Sequence, residues 1–217
     1  MGVGPLAVYV LSALAPAITS ELSLTRTQLG ALATISFLVT AGLAVSVGNV
    51  IDRVSARATM VSLFLIAGAS LVGIGIAPDY WTLMVAVAIS GLVQALSNPV
   101  TNQTIATLLP PGQRGLIMGV KQSGVQMCQF LAGASLPVLA VGLGWRGATL
   151  IMPVVAIAGL VFSLTVIPRT PAVSARPARH QRRRRTPLPS AVWWLASYSF
   201  LVGMGLQSTN VYLPLFA

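Results

Sequence analysis

The chain alternates long apolar segments with short polar loops. Because a helix needs about 20 mostly apolar residues to cross a bilayer, each long segment is a candidate membrane span. Seven are predicted, at residues 2–19, 27–50, 58–77, 81–109, 115–143, 147–167 and 191–213. No segment has the two-residue alternation of a membrane barrel strand. The pattern therefore predicts an all-α integral membrane protein.

Three regions follow from the spacing of these segments. Residues 1–167 are predicted to form a six-helix transmembrane bundle. Residues 168–189 are rich in arginine and proline and predict a flexible linker. Residues 190–217 contain the seventh predicted helix.

Composition indicates that lipid is the solvent for most of the chain. Only 7% of the residues are charged and 55% are hydrophobic, with a mean hydropathy of +0.85. A soluble domain carries about 25% charged residues. The chain therefore has too little polar surface to coat a water-soluble globule.

Basic residues predict the orientation in the membrane. Ten of the thirteen lie in the loops after the second, fourth and sixth segments, and only Arg26 and Arg146 lie in the other loops. Since cytoplasmic loops carry an excess of Lys and Arg, we place these three loops and the N-terminus in the cytoplasm and the protein in the plasma membrane. This distribution explains the net charge of +10 without a nucleic-acid partner. The basic run at 179–185 is either a solvated part of the linker or a contact for anionic lipid headgroups.

Few residues could carry catalytic or metal chemistry. Cys128 and His180 are the single cysteine and the single histidine, and the chain has three acidic residues. These are too few ligands for a metal cluster, and no predicted span contains a histidine that could activate a serine. We therefore expect no catalytic residues, no metal and no cofactor, and we do not expect an enzyme.

A polar motif follows the second segment, Gly48-Asn49-Val50-Ile51-Asp52-Arg53-Val54-Ser55-Ala56-Arg57. It resembles the cytoplasmic signature of the major facilitator superfamily, G-x-x-x-D-R-x-G-R/K-R/K. Gly48, Asp52, Arg53 and Arg57 match in place. Ser55 and Ala56 depart from the signature.

The order of the segments resembles the same superfamily. The resemblance implies an N-terminal half built from two three-helix inverted repeats, a cytoplasmic linker and helix seven, with the C-terminal half missing. Residues 205–208 and 212–214 are similar to the branch that includes cyanate-type permeases. We therefore expect the chain to be a fragment of a twelve-helix carrier.

The motif has two interpretations. Gly48 would let two helices approach closely, and Asp52 would accept hydrogen bonds from the free amides at the start of helix three. The resemblance implies that Gly48, Asp52, Arg53 and Arg57 form a gating latch between the two halves. Alternatively, Asp52 is only a helix cap and the arginines only set the topology.

Polar side chains line one face of the fourth predicted helix. At about 100° per residue they fall within a sector of roughly 140°. They are Gln94, Ser97, Asn98, Thr101 and Asn102. Such a stripe either lines the path of a polar solute or provides hydrogen bonds between packed helices.

The fifth predicted helix carries Lys121 and a second polar face formed by Gln122, Gln126 and Gln129. Lys121 is the only charged residue well inside a predicted span. It would suit an anionic substrate, or it would extend toward the nearby cytoplasmic headgroups. In helix seven, the candidates for the substrate path are Gln207 and Asn210.

These features predict a secondary active or facilitative transporter of a small polar, in one version anionic, solute that works by alternating access. A proton is a candidate coupling ion, although no acidic residue lies inside a predicted span. The alternative is a non-transporting or half-size membrane protein that acts as a scaffold or partner subunit.

Overall fold

The computed structural model of the chain describes residues 2–51, 54–108 and 110–166, together with 193–195, 197–198, 201–203 and 205. The regular structure of these residues is helical throughout, which confirms the all-α prediction. The α-helices are α1 (Leu6–Ala13), α2 (Ala15–Glu21), α3 (Arg26–Ile51), α4 (Ala56–Ile76), α5 (Tyr80–Leu108), α6 (Arg114–Ile151) and α7 (Pro153–Val166), and a 3-10 helix at Pro111–Gln113 precedes α6. The predicted linker at 168–189 lies outside the described residues.

Proline divides the first predicted segment into two helices. Leu14 separates α1 from α2 and leaves helical geometry, with φ −104° and ψ 9°. Pro16 lies in the first turn of α2. Because proline has no N–H to bond to the preceding turn but fits the start of a helix, the break falls just before it.

Gly144 replaces the loop that was predicted between the fifth and sixth segments. It lies inside α6 with φ 69° and ψ 167°, a conformation that only glycine adopts without strain. The two segments therefore meet at a single residue. A second interruption follows at Met152, where Pro153 starts α7.

The part of the chain after Gly144 runs antiparallel to α4. A Cβ on Gly75 would lie 2.8 Å from Leu150, and a Cβ on Gly159 would lie 2.3 Å from Phe64. Residue numbers thus fall along α4 as they rise along this part of the chain. Glycine at these positions permits close packing of α4 with the end of α6, at Gly75, and with α7, at Gly159.

The part of α6 before Gly144 runs parallel to α1 and α2. Gly2 lies against Cys128, and Glu21 is bonded to Trp145. Since α4 and α2 both end near Gly144, the chain reaches one end of the bundle there and then turns back.

Apart from Lys121, the charged residues that the structure describes lie in two groups at opposite ends of the bundle. Glu21 and Arg146 lie where α2 and α4 end, and Arg146 donates to the carbonyl of Ala77. Arg57 and Arg114 lie at the other end, near the ends of α7 and α5. We call these the Glu21 end and the Arg57 end. This separation is the one expected for alternate loops, and the side of the membrane that each end faces stays a prediction.

Apolar side chains fill the interior and also cover the outside. Ile74 is buried at the Glu21 end and Val100 at the Arg57 end. On the outer surface, Val141 is 91% exposed and Phe162 is 67% exposed. Among the described residues, four helical stretches are long and apolar enough to cross a membrane, at Arg26–Ala44, Ala56–Ile76, Tyr80–Ala106 and Arg114–Thr165. An apolar outer surface of this kind is stable in lipid and unstable in water.

Candidate functional site

The predicted stripe on α5 begins at a tight contact with α3. A Cβ on Gly91 would lie 2.5 Å from the backbone oxygen of Ser36, so glycine permits this contact. Next to it, the Nε2 of Gln94 donates to the Oγ of Ser36 at 3.1 Å. The Oγ atoms of Ser36 and Ser90 are 3.3 Å apart. This part of the stripe therefore contributes to helix packing.

One turn further along α5, the stripe opens into a polar cavity. Gln94 and Asn98 from α5 and Gln122 from α6 line a cavity of about 140 Å³. Ser97, Val125 and Pro5 complete its walls. The sequence predicted polar faces on two separate helices, and the tertiary structure brings their side chains around one space. We call it the amide cavity.

The amide cavity presents hydrogen-bonding groups that have no protein partner. Within the part of the chain that the structure describes, the side-chain amides of Asn98 and Gln122 make no hydrogen bond. The Oγ of Ser97 donates to the carbonyl of Val93 at 2.8 Å, so its lone pairs can still accept. Each amide offers two donor hydrogens and one acceptor oxygen. The cavity can therefore bind a solute through donors and acceptors at once.

Lys121 lines a different cavity, of about 490 Å³, next to the Arg57 end. Its Nζ donates to the Oδ1 of Asn102 at 2.5 Å, so the structure supplies the partner that the sequence did not reveal. Thr101 lines the same cavity and donates to the carbonyl of Ser97 at 2.7 Å. Lys121 and Asn102 thus join α5 and α6 across their predicted polar faces.

The other predicted substrate-path residues lie apart from these two cavities. Gln126 is exposed and Gln129 is half-buried, and neither lines the amide cavity or the Lys121 cavity in the described structure. Gln207 and Asn210 lie outside the described residues. The structure therefore gathers only part of the predicted set.

The close helix approach that was predicted at Gly48 does not occur among the described residues and stays a prediction. Nothing among them lies within 4 Å of a Cβ placed on Gly48. A close approach does occur at Gly91, where α3 and α5 meet. A glycine pattern alone does not reveal which glycine faces a neighbouring helix.

The structure describes two of the four residues of the predicted gating motif, Gly48 and Arg57. Asp52 and Arg53 lie outside the described residues. Arg57 donates through one guanidinium nitrogen to the carbonyl of Leu164 at 2.8 Å, near the end of α7. Ser55, which departs from the signature, is the N-cap of α4: its hydroxyl accepts from the amide of Ala58 at 3.3 Å.

The Glu21 end contains a polar cluster that sequence reasoning missed. Arg146 Nε donates to one carboxylate oxygen of Glu21 at 2.9 Å, and the indole N–H of Trp145 donates to the other at 2.6 Å. Arg146 also donates to the carbonyl of Ala77 at 2.5 Å, and its guanidinium lies 4.5 Å from the centre of the Trp145 ring. The hydrogen bonds from Arg146 and then Trp145 lower the pKa of Glu21. The sequence contained one signal for this cluster. Glu21 and Arg146 lie in loops that are predicted to face the same side of the membrane.

Asp79, also at the Glu21 end, has a local role. Its carboxylate accepts from the hydroxyl of Thr82 and from the amide of Trp81, at the start of α5. The hydrogen bond from Thr82 is the main cause that lowers the pKa of Asp79. Asp79 thus caps α5 and takes no part in the Glu21 cluster.

Comparisons with known proteins give a family and several solved structures with a similar fold. A family model described as Major Facilitator Superfamily matches residues 2–217. The fold is similar to the crystal structure of a bacterial homologue of the human lysosomal transporter Spinster, in an inward-facing and occupied conformation, with a TM-score of 0.69 and 20% sequence identity. That match covers 82% of this chain and 44% of the other, so the chain spans less than half of that transporter's length. No curated protein sequence matches.

Proposed function

The chain belongs to the major facilitator superfamily, and on that premise we propose that it helps to move a small polar solute across a membrane by alternating access. Family membership and the apolar helices make it a multi-pass membrane protein and point to a transporter rather than an enzyme. The observation that carries the proposal is the amide cavity.

Hydrogen-bonding side chains are expensive in a bilayer unless they are paired or line a water-filled path. At the Glu21 end they are paired. In the amide cavity, Asn98 and Gln122 have no partner among the described residues and face a common space between α5 and α6. A solute that enters this space would supply the missing hydrogen bonds. Solute sites of this superfamily's type lie between helices near the middle of the membrane.

A second candidate is an anionic solute, because Lys121 lines the larger neighbouring cavity. In this version the ammonium group would attract the anion and Asn102 would hold the ammonium in position. The two candidates differ in the residues that contact the solute, so substitution separates them.

The topology and location are also part of the proposal. We propose that residues 1–167 form the six-helix half of a carrier with two inverted repeats, with the Arg57 end and the 168–189 linker in the cytoplasm and the protein in the plasma membrane. The positions of Arg57 and Arg114 at one end support this orientation. The 179–185 run would meet anionic headgroups there.

Gating and coupling extend the proposal. Gly48, Asp52, Arg53 and Arg57 would form the latch that the family signature implies, and a proton would be a coupling ion carried by groups outside the described spans. The bond from Arg57 to Leu164 supports a role for the motif at the end of α7. Kinship with the cyanate-permease-like branch stays a prediction.

Solute entry into vesicles tests the proposed function. The protein, expressed as the full product of its gene, would be reconstituted into liposomes. Stopped-flow light scattering would follow reswelling after mixing with a panel of small polyols, amides and carboxylate salts. We expect saturable entry of at least one solute above the rate of protein-free liposomes. If correctly inserted protein moves none of them, transport is contradicted, and the scaffold or partner-subunit alternative would be tested by crosslinking.

A further inference from the structure

We infer that the amide cavity binds an uncharged solute that both donates and accepts hydrogen bonds, of the carboxamide or polyol class. The inference names the substrate class of the proposed site and therefore rests on the proposed function. It depends on three observations: the chemistry of the lining groups, the absence of charge among the described lining residues, and the position of Lys121.

The lining groups require a solute with mixed hydrogen-bonding capacity. Gln94 uses one donor on Ser36, which leaves its acceptor oxygen and a second N–H. Asn98 and Gln122 each offer two donors and an acceptor. A solute with only acceptors, such as a carboxylate, would leave the amide oxygens unpaired. Asn98 and Gln122 are exposed to the cavity, so a bound solute displaces water from them, and a solute that pairs both donors and acceptors replaces the hydrogen bonds that this water made.

Charge balance also disfavours an anion. None of the described residues that line the amide cavity carries a charge, and Pro5 at the start of α1 adds none. Moving an ion from water into a site without a counter-charge is strongly unfavourable. Lys121, which precedes Gln122 in the chain, lines the neighbouring cavity and donates to Asn102. A neutral solute avoids this desolvation cost.

Protection of an engineered cysteine would test the solute class without requiring transport. Val125 lines the cavity, and the native Cys128 can be removed as Cys128→Ser. In that background, Val125→Cys would be alkylated with a membrane-permeant maleimide in the presence of malonamide or malonate, which have nearly the same shape. Val141→Cys, on the highly exposed outer face of α6, is the control.

We expect malonamide to slow alkylation of Val125→Cys, by about tenfold at ten times its dissociation constant, while malonate has no effect. Gln122→Leu should remove this protection and Lys121→Met should leave it intact. The Val141→Cys rate should not respond to either compound, which would confirm that the probes act at the cavity and not on the reagent.

Three results would overturn the inference. Protection by malonate that disappears in Lys121→Met would assign the site to an anion, while transport of that anion would leave the proposed function standing. Equal protection by both compounds would also contradict it, as would a folded protein in which neither malonamide nor a polyol such as glycerol gives protection. Conversely, malonamide protection without entry of any solute into vesicles would contradict transport and keep the solute class. The two failures are therefore distinguishable.

Discussion

The Glu21 cluster and the amide cavity use similar polar groups in opposite ways. At the Glu21 end, the carboxylate of Glu21 binds both Trp145 and Arg146, and Arg146 also binds a backbone carbonyl. In the amide cavity, Asn98 and Gln122 have no partner in the described structure. One region has completed its hydrogen bonds and the other has not.

This difference separates a structural role from a binding role. A network whose members bind one another fixes helix ends and gains nothing from a solute. Amides that are open to a cavity, such as those of Asn98 and Gln122, remain available to hydrogen-bond a solute in place of water. Substitutions at the Glu21 end should therefore change stability, and substitutions in the cavity should change solute binding and transport.

The largest expected effect is on transport. Gln122→Leu should abolish entry of the solute that the wild-type protein moves, because it removes an amide from the cavity while it keeps a helix-forming side chain of similar size. Gln126→Leu, one turn along the same helix and outside both cavities, is the matched control and should retain entry. Vesicle reswelling measures both. Equal losses in the two variants would remove the special role of the cavity.

The next effect is on stability at the turn beside the Glu21 cluster. Gly144→Ala should destabilise the protein by about 1–3 kcal/mol, because alanine is strained at this backbone conformation. Gly142→Ala is the control, since Gly142 has open space around it and no positive φ. Thermal unfolding in detergent compares them. A wild-type melting temperature in Gly144→Ala would mean that α6 turns at another residue.

A smaller effect should depend on pH. The folded-state pKa of Glu21 is below its ordinary value of 4.5, so the cluster stabilises the protein above that pH and loses this contribution as pH falls through the folded value. Glu21→Gln should lower the melting temperature at pH 7, and the difference from wild type should shrink in acid. Because Asp79 is present in both proteins, the difference between their melting temperatures reports the contribution of Glu21 alone. If the difference in melting temperature between wild type and Glu21→Gln stays constant with pH, the ionised carboxylate does not contribute to stability.

The smallest expected effect is on stability at the Arg57 end, where Ser55 caps α4. Ser55→Ala should cost about 1 kcal/mol, because the amide of Ala58 loses its capping oxygen. Ser55→Gly restores the glycine of the family signature and should lower the free energy of unfolding by only a few tenths of a kcal/mol. Neither should change solute entry in the vesicle assay. A transport defect in Ser55→Gly with unchanged stability would instead give Ser55 a part in gating.

Local rules made some of the candidate site predictable. Polar residues at helical spacing placed Gln94 and Asn98 on one face of α5, and the same rule placed Gln122 on a polar face of α6. The rule could not separate Gln122 from Gln126, because that choice depends on how α6 is rotated against α5. It also could not pair Lys121 with Asn102, which are nineteen residues apart in the chain.

The sequence by itself determined that this is an all-α membrane protein, because apolar length and charge distribution act locally and need no tertiary information. The motif at 48–57 and the order of the segments gave the resemblance to the major facilitator superfamily, which the family match confirms. Only the tertiary structure decided that Glu21 joins Arg146, that Gly91 permits a close approach between α3 and α5, and that amides from two helices share one cavity. The physical reason is that these contacts depend on helix rotation and crossing, which the packing of the whole bundle sets.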